Sequence, residues 1–319
     1  MKPSTSDTAK KQRRIARNAQ SKPAPRTSKK APQTGLHQPA SPMPAQHLDK
    51  PGMEKDLQPR PRYLAPSYRG SAKLHDKVAI ITGGDSGIGR AVAVLFAREG
   101  ADVVVAYLDE HEDAEATAAQ VRKEGRECLA VAGDIAAPSF CRRLVELALA
   151  RFGKVDILVN NAAFQQHVDA IEDLDDEQFE LTFRTNIHSC FQMAKAVLPH
   201  MREGACIINT GSETGLYGSG GLLDYSATKG AIHAFTKSLA ASVISRGIRV
   251  NAVAPGPVWT PLNPADRDAD EVADFGADTD MKRPAQPEEI SPAYVFLAAP
   301  SCSSYITGVV LPILGTLPG

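Results

Sequence analysis

The stretch Val78-Ala79-Ile80-Ile81-Thr82, followed by Gly83-Gly84-Asp85-Ser86-Gly87-Ile88-Gly89, decides the fold of this chain. Its first half is apolar and β-branched, as in a buried strand, and its second half is a glycine-rich turn. Residues 91–97 then place apolar side chains at helical spacing. The first N–H groups of such a helix face an anion, most commonly a pyrophosphate. A glycine cluster also fits an ordinary turn, but a following β/α alternation favours a nucleotide held by Gly83, Asp85, Ser86, Gly87, Ile88 and Gly89.

Short apolar strands alternate with amphipathic helices downstream of this turn. Strands are predicted at 78–82, 102–108, 127–132, 155–160, 205–210, 248–254 and 306–313. Helices are predicted at 88–99, 110–123, 138–152, 175–201, 224–245 and 288–298. The alternation predicts an α/β fold, a single Rossmann-type doubly wound parallel β-sheet with helices on both faces. Ligands bind such sheets at the carboxyl ends of the strands, where Asp134, Asn160, Ser212 and Pro255 fall.

The first 70 residues differ in composition from the rest of the chain. Residues 1–30 hold ten Lys and Arg residues against one acid, so a tail near +9 precedes a body near −10. Eleven of the 23 prolines precede residue 67. We therefore expect residues 1–70 to form a flexible, largely disordered basic extension and residues 71–319 to form the dinucleotide-binding domain. A solvated tail is favoured over a tether to nucleic acid or anionic lipid, and the acidic body is not expected to bind nucleic acid.

Cysteine usage and hydropathy narrow the class of protein. The five cysteines are scattered and show no C-x-x-C spacing, which favours reduced core thiols over a redox or metal site. No apolar stretch is long enough to span a membrane, and no apolar signal-peptide core follows Met1. We expect a cytoplasmic protein without a metal or membrane partner.

Tyr225 and Lys229 lie four residues apart on a predicted helix and so share one face. A phenol with a pKa near ~10 is a poor acid–base catalyst at neutral pH unless its anion is stabilised, and a neighbouring ammonium favours that anion. A lone Tyr-x-x-x-Lys is usually a surface pair. Ser212, at the end of a predicted strand, changes this interpretation because its hydroxyl can hold a carbonyl oxygen for the phenol to protonate.

Five motifs in this order resemble the short-chain dehydrogenase/reductase (SDR) family over residues 75–313. They are the glycine turn, Asn160-Asn161-Ala162-Ala163, Ser212, Tyr225-Ser226-Ala227-Thr228-Lys229 and Pro255-Gly256-Pro257-Val258-Trp259-Thr260. The N-terminal extension and the details of the first and last motifs are similar to a subgroup of bacterial general-stress oxidoreductases and plant glucose/ribitol dehydrogenases. The resemblance implies an enzyme, an NAD(P)-dependent short-chain alcohol dehydrogenase/reductase (EC 1.1.1.-), that interconverts a carbonyl and an alcohol by hydride transfer.

Roles for individual residues follow from this resemblance. Tyr225 is expected to exchange the proton, Ser212 to place the substrate oxygen, and Lys229 to bind the nicotinamide ribose and lower the pKa of Tyr225. Asn186 matches a helix asparagine that holds a water leading protons to the lysine, although a helix-bend role is the alternative. The expected cofactor contacts beyond the turn are Tyr107 after strand two, Asp134 and Ile135 at the adenine, Asn160 and Ala162 along the cofactor, Tyr225 and Lys229, and Pro255, Gly256, Val258 and Thr260 beside the nicotinamide.

The sequence does not decide between NAD and NADP as the cofactor. NAD-preferring members usually carry an acid at the end of strand two, where this chain has Tyr107. Asp85 disfavours a 2′-phosphate, whereas Arg90 is a candidate to compensate, and the balance leans to NAD. Ala163 replaces the usual glycine, and Leu314-Gly315-Thr316 departs from the family's C-terminal pattern.

Three segments are expected to select the substrate: Phe164–His167, Glu213–Gly221 and Leu262–Arg283, the last as a mobile lid. Gln165, His167 and Glu213 are polar candidates for contacts with a hydroxylated substrate, although a position on the surface or behind the site is favoured for each. The resemblance also implies a homotetramer built through the helices at 175–201 and 224–245. A nicotinamide-binding sensor or scaffold without physiological turnover is the competing function, and the filled set of Ser212, Tyr225 and Lys229 argues against it.

Overall fold

One sheet of seven parallel strands organises the computed structural model, which describes Lys10, Arg13, Arg14 and residues 30–316. The strands are β1 Val78–Thr82, β2 Asp102–Tyr107, β3 Cys128–Ala132, β4 Ile157–Asn160, β5 Cys206–Thr210, β6 Arg249–Pro255 and β7 Val310–Ile313. Their order is β3-β2-β1-β4-β5-β6-β7, which confirms the predicted doubly wound sheet. Strand order reverses between β1 and β4, and a ligand crevice opens at such a point.

Helices cover both faces of the sheet, close to the predicted positions. They are α1 Gly87–Arg98, α2 His111–Lys123, α3 Pro138–Phe152, α4 Asp176–Phe183, α5 Ser189–Val197, α6 Thr214–Tyr217, α7 Leu223–Val243, α8 Ala269–Ala273, α9 Pro287–Ala298 and α10 Pro300–Ser303. The helix predicted at 175–201 is divided by a π-helical turn, Arg184–His188, between α4 and α5. Such turns insert one extra residue into a helix and often mark functional positions.

Alternate side chains of the strands divide the core between the two faces. Ile81, Val103 and Val105 pack with α1 and α9, whereas Ile80 and Val104 pack with α3 and α5 on the opposite face. This alternation is the period of a strand, and burial on both faces explains why the strand sequences are apolar throughout. All five cysteines lie within the described residues, none forms a disulfide, and three of them are buried.

The N-terminal segment, which we define as residues 41–65, packs on the domain. Leu57 is fully buried in a satellite cluster with Met43, Trp259, Val272 and Phe275. The indole Nε1 of Trp259 donates to the backbone carbonyl of Pro59 at 2.8 Å. Backbone hydrogen bonds join Met43 to Ala273 and Leu48 to Pro264. The segment therefore lies against Trp259 and against residues 264–275, which belong to the predicted lid.

The compact unit of the structure begins at Gln33, whereas the sequence predicts a domain boundary at residue 70. Residues from Gln33 onward form one compact unit, because a few apolar side chains within the proline-rich stretch find partners about two hundred residues away. Of the extension predicted at residues 1–70, residues 33–70 belong to this unit, and most of residues 1–32 lie outside the described residues. Among the residues that are described, no helix has the length and apolarity to cross a membrane.

Candidate active site

A cavity of about 600 Å³ opens at the carboxyl ends of the strands, and most of the predicted site residues line it. Cavities of this size accommodate cofactors and small-molecule substrates. The predicted residues in its wall are Gly83, Asp85, Ser86, Gly87, Ile88, Tyr107, Asp134, Ile135, Ala162, Ser212, Tyr225, Lys229, Pro255, Gly256, Val258 and Thr260. The glycine turn and the Ser212–Tyr225 pair therefore face one continuous space.

The glycine turn fits a dinucleotide by its shape. Gly83 has φ +60°, and a Cβ added to Gly89 would lie 1.9 Å from the carbonyl oxygen of Gly83. Only glycines allow the turn and helix α1 to pack this closely. The first turn of α1 itself contains no acidic residue, but the carboxylate of Glu54 accepts from the N–H of Gly87 at its start, as the positive end of a helix dipole favours.

Tyr225, Ser212 and Lys229 meet at the other end of the cavity. The side chains of Ser212 and Tyr225 line the same cavity, and the Ser212 side chain acts to lower the pKa of Tyr225. The Ser212 hydroxyl also accepts from the backbone N–H and the hydroxyl of Thr214, each at 3.1 Å. The ammonium of Lys229 donates to the carbonyl of Thr210 at 2.8 Å and lies 5.2 Å from the centre of the Tyr225 ring. The phenol of Tyr225 and the hydroxyl of Ser212 therefore belong to the wall of one cavity.

The acidity of Tyr225 differs from the sequence expectation. Burial raises its pKa above the ordinary value, the hydrogen bond with Ser212 lowers it, and the charges of Asp266 and Glu213 raise it further. Burial also lowers the pKa of Lys229 to about 8, which shows that desolvation acts on both members of the pair. The protein environment therefore holds Tyr225 in its neutral form, which is the form that can donate a proton.

Three predicted site residues lie behind the cavity wall. Asn160 donates to Asn209 at 2.9 Å inside the sheet, and Gly89 packs on the turn. Asn186, fully buried in the π-helical turn, binds both backbone groups of Phe164, with Oδ1 accepting at 2.8 Å and Nδ2 donating at 2.9 Å. In this position Asn186 fixes the loop that follows β4, and its neighbour Thr185 reaches the cavity.

Arg90, the candidate partner for a 2′-phosphate, is already occupied. It is buried, and its guanidinium pairs with Glu54 at 2.5 Å and with Asp113 at 3.0 Å. Its Nε donates to Thr117 and to the carbonyl of Asp85. The other oxygen of Glu54 accepts from the N–H of Gly87 at 2.6 Å. The N-terminal segment thereby holds the start of α1 in place, and the charge of Arg90 is already paired with two buried carboxylates.

Two carboxylates line the cavity at the end of β2. Burial and the neighbouring Glu110 raise the pKa of Asp85 to about 7. Glu110 is itself buried and accepts from the backbone N–H of Asp109 at 3.0 Å. An acid is therefore present in this corner, three residues after the position at which the sequence pattern places it.

The predicted substrate segments meet around Asp266. His167 Nδ1 lies 2.5 Å from Asp266 Oδ2, and Gln165 Nε2 donates to the same oxygen at 2.8 Å. Although burial acts in the opposite direction, hydrogen bonding to His167 lowers the pKa of Asp266. Gln165 and Glu213 line the cavity, whereas His167 ties its loop to Asp266 from behind. Burial and Asp278 raise the pKa of Glu213 to about 7.

Several lining residues were not foreseen from the sequence. Lys50 enters from the N-terminal segment, Glu110 and Asn161 adjoin predicted positions, and Arg267 lies in the lid stretch. Glu110 and Asn161 follow strand ends and were within reach of the rule that ligands bind there. Lys50 carried no local signal, because a single lysine between prolines has no periodic pattern.

Comparison with known proteins gives a consistent result. The family model described as Enoyl-(Acyl carrier protein) reductase matches residues 83–315. General stress protein 39 of Bacillus subtilis (strain 168) is 49% identical over 274 residues, covering 86% of this chain and 96% of that protein. Glucose and ribitol dehydrogenase of Daucus carota is also 49% identical, over 84% of this chain and 94% of that protein.

Two further similarities concern proteins whose names mention a cofactor. NADPH-dependent aldehyde reductase 1, chloroplastic, of Arabidopsis thaliana is 46% identical, covering 82% of this chain and 93% of that protein. The crystal structure of a short chain dehydrogenase from Burkholderia cenocepacia J2315 in complex with NADP is similar at a TM-score of 0.71 and 31% identity. It covers 76% of this chain and 98% of that one. The family match begins directly after β1 and runs through β7.

Proposed function

The chain belongs to the short-chain dehydrogenase/reductase family, and on that premise we propose that it reduces an aldehyde, ketone or sugar-like carbonyl to an alcohol, and catalyses the reverse oxidation, with a nicotinamide dinucleotide. The family assignment rests on the matches reported above. One observation carries the proposal: Tyr225 and Ser212 line the same cavity as the glycine turn.

In this proposal each side chain has a chemical task. The bound nicotinamide supplies or accepts the hydride. Ser212 donates a hydrogen bond to the substrate carbonyl oxygen, and neutral Tyr225 donates its proton to the same oxygen as the alcohol forms. Lys229, held by Thr210, binds the ribose hydroxyls and keeps a positive charge beside the phenol. Asn186 acts by positioning the loop after β4.

The cofactor corner supports a preference for NAD over NADP. Asp85 and Glu110 line it, and Arg90 is neutralised by Glu54 and Asp113. A 2′-phosphate placed there would meet carboxylates without a free cation among the described lining residues of that corner. The NADPH-dependent relative and the NADP-bound structure describe those proteins, so the preference of this chain requires its own measurement.

Asp85 makes the preference depend on pH. Because its pKa is raised to about 7, Asp85 is neutral below pH 7 and charged above it. The charged form repels a 2′-phosphate, so we expect the ratio of the NADP to the NAD dissociation constant to rise about tenfold between pH 6 and pH 8. Quenching of the single tryptophan, Trp259, measures both constants.

Asp85→Asn serves as the control for this titration. At pH 8 the variant should bind NADP more tightly than the parent. The ratio of the NADP to the NAD dissociation constant should rise much less between pH 6 and pH 8, and the rise that is left is due to ionisation of the 2′-phosphate itself. If this ratio rose equally with pH in parent and variant, a group other than Asp85 would control it.

Turnover tests the proposed function directly. Purified protein is mixed with NADH or NADPH and a panel of aldehydes, ketones and aldoses, and the loss of reduced cofactor is followed by absorbance. We expect turnover with at least one carbonyl class. Cofactor binding without turnover on any member would favour the alternative, a nicotinamide-binding sensor or scaffold, over the enzyme.

We extend the proposal to assembly as a homotetramer. Large apolar side chains lie exposed on helices α4 and α5, among them Phe179, Leu181 and Phe191. Exposed apolar groups clustered on one pair of helices are typical of an interface with another protein surface. Light scattering at micromolar concentration gives the mass that decides between a monomer and an oligomer.

A further inference from the structure

We propose that Lys50, together with Arg267, binds an anionic group of the substrate, so that the enzyme favours carbonyl compounds carrying a carboxylate or a phosphate. The inference rests on the proposed function and adds the substrate class. It also makes the N-terminal segment part of the active site, because Lys50, Pro51 and Gly52 line the same cavity as Ser212 and Tyr225.

Lys50 is held at the mouth of the cavity by the loop after β4. Its ammonium donates to the carbonyl of Gln165 at 2.9 Å and lies 5.1 Å from the centre of the Phe164 ring. Both partners belong to a predicted substrate segment. These contacts use one of the three N–H donors of the ammonium and include no carboxylate.

Neither cation forms a direct ion pair with a described acid. Among the residues that the structure describes, no carboxylate lies within 4 Å of Lys50 or Arg267. Asp266, the acid that acts on Lys50, is bound instead by Gln165 and His167. Arg267 lines the cavity with a buried Nε that has no hydrogen-bond partner. An unpaired buried donor in a ligand cavity calls for an acceptor from the ligand.

The charges along the cavity are unequal at its two ends. Asp85, Glu110 and Asp134 line the end that the adenosine half of the cofactor would occupy. At the end with Tyr225 the lining cations are Lys50, Lys229 and Arg267, and the lining acid is Glu213, whose pKa burial raises to about 7. The carboxylate of Asp266 lies behind this wall, bound by Gln165 and His167. An anionic group at this end can form a charge-assisted hydrogen bond with Lys50, which stabilises it.

Matched pairs of substrates test the inference. Succinic semialdehyde is compared with butanal, and glyceraldehyde 3-phosphate with glyceraldehyde, so that carboxylate and phosphate are distinguished. We expect kcat/KM for the anionic member of at least one pair to exceed that of its neutral partner by about tenfold at low salt, and the ratio to fall as ionic strength rises.

Lys50→Met removes the charge and keeps the length of the side chain. We expect kcat/KM for the preferred anionic substrate to fall about 10- to 100-fold, mainly through KM, and that for its neutral partner to change less than threefold. Lys50→Arg should retain most of the selectivity. The control is Lys55→Met, which removes a cation from the same segment that pairs with Glu112 outside the cavity.

A binding measurement separates this inference from the proposed function. Succinate and inorganic phosphate contain no aldehyde or ketone group that could be reduced. Their affinity, measured by calorimetry, therefore does not depend on turnover. Weaker binding of one of them by Lys50→Met supports the anion site even if no carbonyl is reduced. Equal turnover of charged and neutral substrates by the parent protein, or an equal loss on both in Lys50→Met, overturns the inference and leaves the oxidoreductase function intact.

Discussion

A Tyr225→Phe variant is expected to lose about 10²- to 10⁴-fold in kcat for carbonyl reduction, with KM changed only a few-fold. The substitution removes the phenol hydroxyl and keeps the ring on which Lys229 packs. In the proposed mechanism this phenol, which burial holds neutral, donates the proton, because the hydroxyl of Ser212 has no comparable acidity. Steady-state absorbance of the reduced cofactor measures the loss.

The matched control for this variant is Tyr294→Phe. Tyr294 is also a fully buried tyrosine, and its hydroxyl lies 2.7 Å from that of Thr210, but it does not line the cavity. We expect this variant to lose about 1 kcal/mol of stability and to retain most of its turnover. Full activity of Tyr225→Phe, or equal losses in the two variants, would remove Tyr225 from its assigned role.

Glu54→Ala is expected to lower the free energy of unfolding by about 3–5 kcal/mol, the effect of removing one partner from a buried ion pair. The substitution leaves Arg90 with Asp113 as its carboxylate partner and removes the acceptor of the Gly87 N–H. The Arg90 guanidinium and the Gly87 N–H both stay buried at the start of α1 as long as the N-terminal segment remains docked. Urea unfolding, followed by circular dichroism, gives the difference.

Glu112→Ala provides the comparison on the same two elements. Glu112 pairs with Lys55, with 72% and 38% of the respective side chains exposed, and exposed pairs contribute about 0–1 kcal/mol. A loss for Glu54→Ala as small as that for Glu112→Ala would mean that the segment is only loosely attached. The pairing of Arg90 with Glu54 would then be incidental to the fold.

The sheet was predictable because each strand carries its own signal. Val78–Thr82 has the predicted bounds in the structure, and the other strands differ by a few residues at their ends. Burial on both faces requires apolar runs, and these are local properties of the sequence. The division of the helix at 175–201 by a π-helical turn was not predicted, because apolar spacing does not record one extra residue in a helical turn.

The candidate site was predictable where a motif fixes it and not where distant segments meet. The glycine turn, Ser212, Tyr225 and Lys229 line one cavity as expected. The raised pKa of Tyr225 depends on burial, which appears only after the chain has folded. Lys50 contacts the cavity and Glu54 contacts α1, each through a hydrogen bond to a residue far away in the sequence. The average composition of a proline-rich segment gives no indication of such contacts.

The docking of residues 41–65 has a consequence for protein synthesis. This segment leaves the ribosome before the sheet exists, and its partner Trp259 is added 200 residues after Pro59. At about 5–20 residues per second, that delay is on the order of 10–40 s. During this interval Leu57 and Met43 are exposed on the nascent chain. The segment is therefore expected to attach last, and a fusion placed directly before residue 33 is better tolerated than a truncation that removes Glu54.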